Sequence, residues 1–562
     1  MKRNLALVCL LSVPALAGCT ARIDGSRESR TLGAPGDSSS SAPDSPLATA
    51  DAVALLKNPP AEPIVAEIAC TGQAVVPRGR LWRVPASAYK NSLKDGLGYA
   101  DVDVASAPLD SLTASKFSTS SRQNVVSQAW ADWYFEQGDK AGAKLVAALP
   151  AQHSCMVTAG ASADCVQSFI KDYAGHLFRR PLTQDELTRY QAAYAKFVAD
   201  IGPSDATYAL IQAWTMSPNH VFRTELGDRK PGKVDLTQYE LASEISFLFA
   251  DTAPDAALLA DAQRGTLTDP AVVRAHAERL LNGPAGRAVL KTFFYEFLHL
   301  RELAGAALEP SQQALVPSMQ AETASFVENV TFNQAGGLDT LFSSTSSTVD
   351  QPLGAFYGVT AGERVDTKRP GLLHQAAFLN ARRDATRRGL FVAGELLCTQ
   401  PSPPPPEAVA VASTLVFDEN ETGREVQQAI QSAGAVCRGC HATFAPMGLG
   451  FENYDKLGKY RAQQNGKNLD VTGTFPGFGD VNGNFTDSVD MLRQIVASNQ
   501  GQLCFSKRFI SYLEGRDAHG VLDGCLISRA RKQMVDNKFS LPKLMLELTQ
   551  DPSFYKRINL ED

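Results

Sequence analysis

The chain has 562 residues, 44% hydrophobic and 20% charged, with a formal net charge of −6. That length exceeds one compact core and predicts three or four domains. The mild acidic excess, with no basic patch interleaved with aromatics, argues against a nucleic-acid surface.

At the N-terminus, Lys2 and Arg3 precede an apolar run from Leu5 to Leu16 that is too short to span a bilayer. It ends in Leu16-Ala17-Gly18-Cys19, which resembles a bacterial lipobox. Residues 1–18 are therefore expected to be a lipoprotein signal peptide and Cys19 the lipidated residue. An ordinary secretory signal with an incidental cysteine is the alternative. Thr20 in place of Asp after the cysteine favours the outer membrane, on its periplasmic or surface face. The Ser/Gly/Pro/Ala-rich stretch within 19–60 reads as a disordered tether between lipid and body. No later segment is long and apolar enough to cross a membrane.

The body carries mostly helix signals and sparse strand alternation, so the expected fold is mainly α, a series of helical bundles. The expected modules are residues 61–150, 151–228, 229–366, 367–485 and 486–562. Thr183 with Glu186, and Thr237 with Glu240, have capping-box spacing. A helix is predicted after Thr268 or Asp269, with Pro270 in its first turn and Gly283-Pro284 ending it. Leu290, Phe293, Phe294, Phe297 and Leu298 fall on one helical face, as do Phe505, Phe509, Tyr512 and Leu513. A short helix is predicted between Pro542 and Pro552. "TQPSPPPPEAV" (399–409) predicts an extended polyproline spacer. "TFPGFGDVNGNF" (474–485) hints at a calcium loop, but Phe485 and Met491 stand where that loop needs Gly and Glu, so a turn region is expected.

The chain has ten cysteines. Cys9 leaves with the signal and Cys19 takes lipid. In an exported protein the even remainder favours disulfides. Cys155–Cys165 and Cys504–Cys525 each close a short loop and are expected pairs, which leaves Cys70–Cys398. One or more free thiols is the alternative.

Cys437-Arg438-Gly439-Cys440-His441 carries the chemistry. Two thiols two residues apart match the vinyl spacing of haem on a helix, and the next histidine becomes the proximal iron ligand. A redox dithiol wants a βαβ context that is not seen here. A zinc site wants a second Cys/His pair nearby, and none is present. Haem c is thus the expected cofactor, in a cytochrome-c-like module near the C-terminus. A Cys437–Cys440 disulfide without haem remains the bland alternative. Met491 is a candidate for the distal iron ligand, with a core position as the alternative, and Met447 and His519 are weaker candidates. Arg461 and Lys459 are candidates to pair with haem propionates, and Phe451, Tyr454 and Tyr460 to line the pocket. His176, His276 and His299 sit in helical patterns and are expected to be satisfied or surface groups.

The run "CRGCHATFAPMGLGFENYDKLGKYR" resembles the haem-motif module of large exported bacterial proteins of unknown function. There Cys-x-x-Cys-His precedes Asp-Pro-(Ile/Leu)-Gly, Glu-Asn-(Phe/Tyr)-Asp and Gly-(Arg/Lys)-(Trp/Tyr)-Arg. "LFRRPLTQDEL", "TMSPNHVFRTELGD", the run from "RPGLLHQAAFL" to the prolines, and "CFSKRFISYLEGR" resemble further modules in the same order. These are the domain-of-unknown-function families 1592, 1588, 1585, 1595 and, loosely, 1587. This chain departs from the pattern at Ala445, where Asp is usual, and at Asp384-Ala385-Thr386-Arg387, where Thr-Ser-Pro-Val is usual. It also has His220 in place of the usual Phe. The expected function is a lipid-anchored envelope haem protein that transfers electrons to a partner protein or oxidises a substrate. The alternative is a non-enzymatic binding or scaffold lipoprotein whose haem, if present, is structural.

Overall fold

The computed structural model describes residues 49–70, 75–108, 117–120, 125–305, 308, 310–399, 401–418 and 420–561. The expected signal peptide, Cys19 and most of the expected tether lie outside these residues. The tether's last part does not run extended: Thr49–Lys57, rich in Ala and Leu, forms a helix. Its Ala52 is buried against Val76 and Ile558.

The protein is mainly α. Among the described residues there are 25 α-helices, and the ten short strands pair only as five separate two-stranded ribbons. Local sequence dictates many helix boundaries. Thr183 and Glu186 form a reciprocal capping box at the start of Gln184–Ile201, and Thr237 and Glu240 do so for Gln238–Ala250. Asp269 caps Pro270–Asn282, and the next helix, Pro284–Phe297, begins at the expected break.

Two apolar cores result. One gathers Tyr89, Trp133, Tyr134, Phe169 and Trp214 from the helices between residues 86 and 215. The larger core joins segments expected to be separate modules. Phe293 and Phe297 stack at 5.4 Å, Phe297 meets Phe391 at 6.0 Å, and Phe293 meets Phe509 at 4.9 Å. Residues 293, 391 and 509 belong to three of the expected divisions, yet they bury one another. Burial of aromatic surface ignores a chain boundary that composition suggested.

Buried ion pairs tie the ends of the chain to the middle. Glu225, on strand Phe222–Glu225, accepts from Arg80 on the paired strand Arg80–Arg83 and from Arg557 near the C-terminus, at 3.0 and 2.6 Å. Arg223 pairs with Glu244 at 2.6 Å. Arg179 points its guanidinium at the carbonyls of Leu177, Asn219, His220 and Phe222. His276 is held by Asp261 at 2.8 Å and His299 by Glu395 at 3.4 Å. The Nε2 of His176 is buried without a hydrogen-bond partner.

Two expected disulfides are corrected. Cys155–Cys165 is present, but the other pairs are Cys70–Cys525 and Cys398–Cys504. Short sequence separation misled because Cys504 lies inside helix Asn499–Leu513, facing residues 395–398, whereas Cys525 opens a different helix, Gly524–Asp536, beside Cys70. The expected turn region at 474–485 is also corrected. Gly473–Phe478 and Val481–Phe485 pair as an antiparallel hairpin that buries Phe475, Val481 and Phe485. Those apolar side chains outweigh the glycines and asparagines between them.

One close crossing positions everything that follows. Helix Ala385–Phe391 packs against helix Ala435–Leu449 with backbone on backbone. A Cβ on Gly448 would lie 1.7 Å from the Ala385 carbonyl oxygen, and one on Gly389 2.2 Å from the Phe444 carbonyl oxygen. Gly439, on the same helix as Gly448, has open space around its Cα. Gly448→Ala is expected to destabilise the fold by about 3 kcal/mol, because neither backbone can yield. Gly439→Ala should instead stabilise by ~0.5 kcal/mol or leave stability unchanged, through helix propensity alone. Equilibrium urea denaturation of the two variants checks this pair of opposite signs.

Candidate functional site

Helix Ala435–Leu449 contains the whole Cys437–His441 motif. The entering segment Gly423–Ser432 is also a helix, with a Thr422–Glu425 capping box. Cys437 is buried and Cys440 half-buried, and both thiols are free, while the six other cysteines of the described residues are paired. Burial and the neighbouring Cys437 raise the pKa of Cys440, so its sulfur is held as the thiol at neutral pH.

Cys437, Cys440 and His441 line one cavity of about 590 Å3. That lies within the roughly 300–1,000 Å3 typical of small-molecule and cofactor sites. Across it run Pro401, Pro403, Pro404 and Pro405, with Val409 and Phe417 beyond them. Residues 401–405 form neither helix nor strand, Pro405 is extended, and Pro406 then opens helix Pro406–Ala412. It is therefore more than the spacer it was expected to be: it forms a wall of the cavity. Because Pro has no N–H, a wall built of it exposes no backbone donor that needs a partner.

His441 is oriented by a chain of hydrogen bonds across three helices. Its Nδ1 lies 2.8 Å from Gln427 Oε1, and Gln427 Nε2 donates to Thr386 Oγ1 at 2.8 Å. Since the Gln427 amide nitrogen faces Thr386, its oxygen faces the imidazole, and Nδ1 must carry the proton. Nε2 is left with its lone pair. Partial burial lowers the His441 pKa, which favours the neutral ring needed for metal ligation. An Nδ1–H bond to a fixed acceptor is the usual way a ligating histidine is held. Thr386 sits in the Asp384–Arg387 run, where the chain departs from the family pattern.

The residues from Glu452 to Arg461 build the support for this geometry, and none of them lines the cavity. Glu452 accepts from the Gly423 backbone N–H at 2.8 Å and pairs with Arg461 at 3.1 Å, fixing the start of the helix that carries Gln427. Asp455 closes its own loop by accepting from the N–H groups of Leu457 and Lys459. Arg388, fully buried, donates to the carbonyls of Phe451, Tyr454 and Asp455. Burial is the main cause that depresses its pKa, to about 10, so it stays charged at neutral pH.

Several expected site residues lie away from this cavity. Arg461 is committed to Glu452, and Lys459 lies over the Phe356 ring at 5.7 Å, so neither is placed at the cavity. Phe451 packs against His374 at 5.2 Å and Tyr454 against Tyr460 at 5.6 Å, away from the thiols. Met491, the distal-ligand candidate, is fully buried on helix Ser488–Ala497 in the main core and does not line the cavity; nor does Met447. Helical spacing put both methionines on core faces. His519 is bound to the Pro60 carbonyl at 3.1 Å. Among the described residues, no set of three or more His, Cys, Asp or Glu side chains converges as the ligands of a bare metal ion do.

Gln427 and Thr386 were not found by reading the sequence, because an uncharged amide 14 residues before a histidine has no signature. Gln427→Leu removes the acceptor at nearly constant volume. Nitrogen-15 NMR of haem-free protein should show His441 predominantly as the Nδ1–H tautomer, and a marked gain of the Nε2–H tautomer in Gln427→Leu. Identical tautomer populations in the two proteins would disprove the assigned role.

Three family profiles match the chain. They are PSD5, a protein of unknown function (DUF1595), over residues 165–225; PSD4, a protein of unknown function (DUF1592), over 236–359; and PSCyt3, a protein of unknown function (DUF1588), over 369–464. The third spans Cys437, Cys440 and His441. No curated protein and no solved structure matches. Along the chain, DUF1595, DUF1592 and DUF1588 follow one another, so it carries three domains of unknown function.

Proposed function

We propose that the protein is a c-type haem protein of the cell envelope, anchored through lipid on Cys19, that exchanges electrons with a partner protein or serves a haem-dependent oxidation. The carrying observation is that two unpaired thiols and an imidazole with its Nε2 lone pair free share the wall of one apolar cavity. The donor set fits haem c. Cys437 and Cys440 would hold the group through thioether bonds, and His441 would ligate its iron. Bound haem supplies one-electron redox chemistry to the site.

The remaining work is done by the chain. His441 presents Nε2 to the cavity, and Gln427 keeps the proton on the opposite nitrogen. Pro403, Pro404, Val409 and Phe417 line the same space with apolar surface. A low-polarity shell of this kind governs a haem potential together with the axial ligand. Glu452 and Arg461 act at a distance, by holding the Gln427 helix in place.

The test is export of the full chain in a host that attaches haem, followed by a pyridine haemochrome spectrum of the purified protein. One haem per chain is expected, retained after acid–acetone extraction. Cys437→Ala with Cys440→Ala should lose the retained colour while the remainder of the fold persists by circular dichroism. Colourless wild-type protein from a host that matures other c-type cytochromes contradicts the proposal.

A further inference from the structure

The cavity wall that faces the motif helix has its own chemistry, and it deepens the haem reading, on which this inference rests. We propose that the iron face turned away from His441 is left without a protein side-chain ligand and takes a small uncharged diatomic molecule, of which carbon monoxide and nitric oxide are the simplest probes.

The observations concern what the wall is made of. Pro401, Pro403, Pro404 and Pro405 carry no N–H, which leaves the N–H of Ser402 as the backbone donor of this stretch. Ala408, Val409 and Ala412 follow on the next helix and present only alkyl groups. Two hydroxyls line the space. Thr443 spends its hydrogen on the Cys440 carbonyl at 2.7 Å, and Ser402 is exposed, between Pro401 and Pro403. The methionines that might have reached over are held elsewhere, with Met447 and Met491 wholly buried in the core.

Chemistry then selects the ligand. The polarity, donor groups and access of a distal pocket decide what a haem binds there. An anion brought against proline rings and alkyl groups loses hydration with nothing to replace it. A neutral diatomic ligand loses almost none. A ligand that needs a hydrogen bond to hold developing negative charge finds donors on the proline stretch at the exposed Ser402 alone. The site therefore favours uncharged diatomic ligands over anions such as cyanide or azide.

The experiment uses full-length, haem-loaded protein. Reduced protein is titrated with carbon monoxide, and oxidised protein with cyanide, each followed in the Soret region, with spin state read by electron paramagnetic resonance. High-spin iron, a saturable carbon monoxide spectrum and weak cyanide binding are expected. Met491→Leu and Met447→Leu should leave the spectra unchanged. Val409→His places an imidazole on the wall, and should convert the iron to low spin and weaken carbon monoxide binding by about tenfold or more through intramolecular competition. Haem-loaded wild type that is already low-spin and refuses carbon monoxide overturns the inference, as does carbon monoxide binding that appears only in Met491→Leu or Met447→Leu. Protein that takes up no haem at all overturns the underlying haem reading instead, and is told apart by the absence of any Soret band.

Discussion

The geometry of the motif depends on a place where two helices meet with no side chain between them. Gly389 and Gly448 let the backbones of Ala385–Phe391 and Ala435–Leu449 touch, closer than any other residue would permit. Because the contact is backbone on backbone, it fixes both the rotation and the height of one helix on the other. Thr386 thereby comes within reach of Gln427, and Gln427 within reach of His441. A shift of one helix by even an ångström would break a hydrogen-bond chain whose links are all near 2.8 Å. The imidazole's tautomer is thus decided by packing well away from its ring.

The same logic explains the charged residues after the motif. Arg461 was a candidate to pair with a haem propionate, and Glu452 and Asp455 stand in the same run after the motif. Their side chains are occupied with backbone N–H groups and with each other. Arg388 completes the arrangement from below, satisfying three carbonyls in a loop that has no regular partner. A fully buried guanidinium needs acceptors for most of its N–H groups, and here four bonds are made, the fourth to the Arg382 carbonyl.

What the sequence disclosed was what short-range physics controls. Helix caps at Thr183, Thr237 and Asp269 were legible because a hydroxyl or carboxylate satisfies N–H groups two or three residues away. The apolar faces of Pro284–Phe297 and Asn499–Leu513 were legible from their period. The motif itself was legible from its spacing. Hidden were the features made by distant segments. Cys398 pairs with Cys504 across 106 residues, and no local pattern names that partner. The hairpin around Gly479 was masked by its turn-forming composition, although Phe475, Val481 and Phe485 carry its register. The proline run read as a spacer because its composition is that of a spacer. Only the fold lays it across the thiols.

The central claim is that Cys437 and Cys440 are free because they are the points of attachment for a macrocycle. Mass spectrometry of the proteolytic peptide spanning Cys437–His441, taken from natively exported protein, tests it most directly. The account predicts a peptide heavier by one haem, with both sulfurs in thioether linkage. A peptide recovered at its bare mass, or short of two hydrogens through a Cys437–Cys440 bridge, contradicts it.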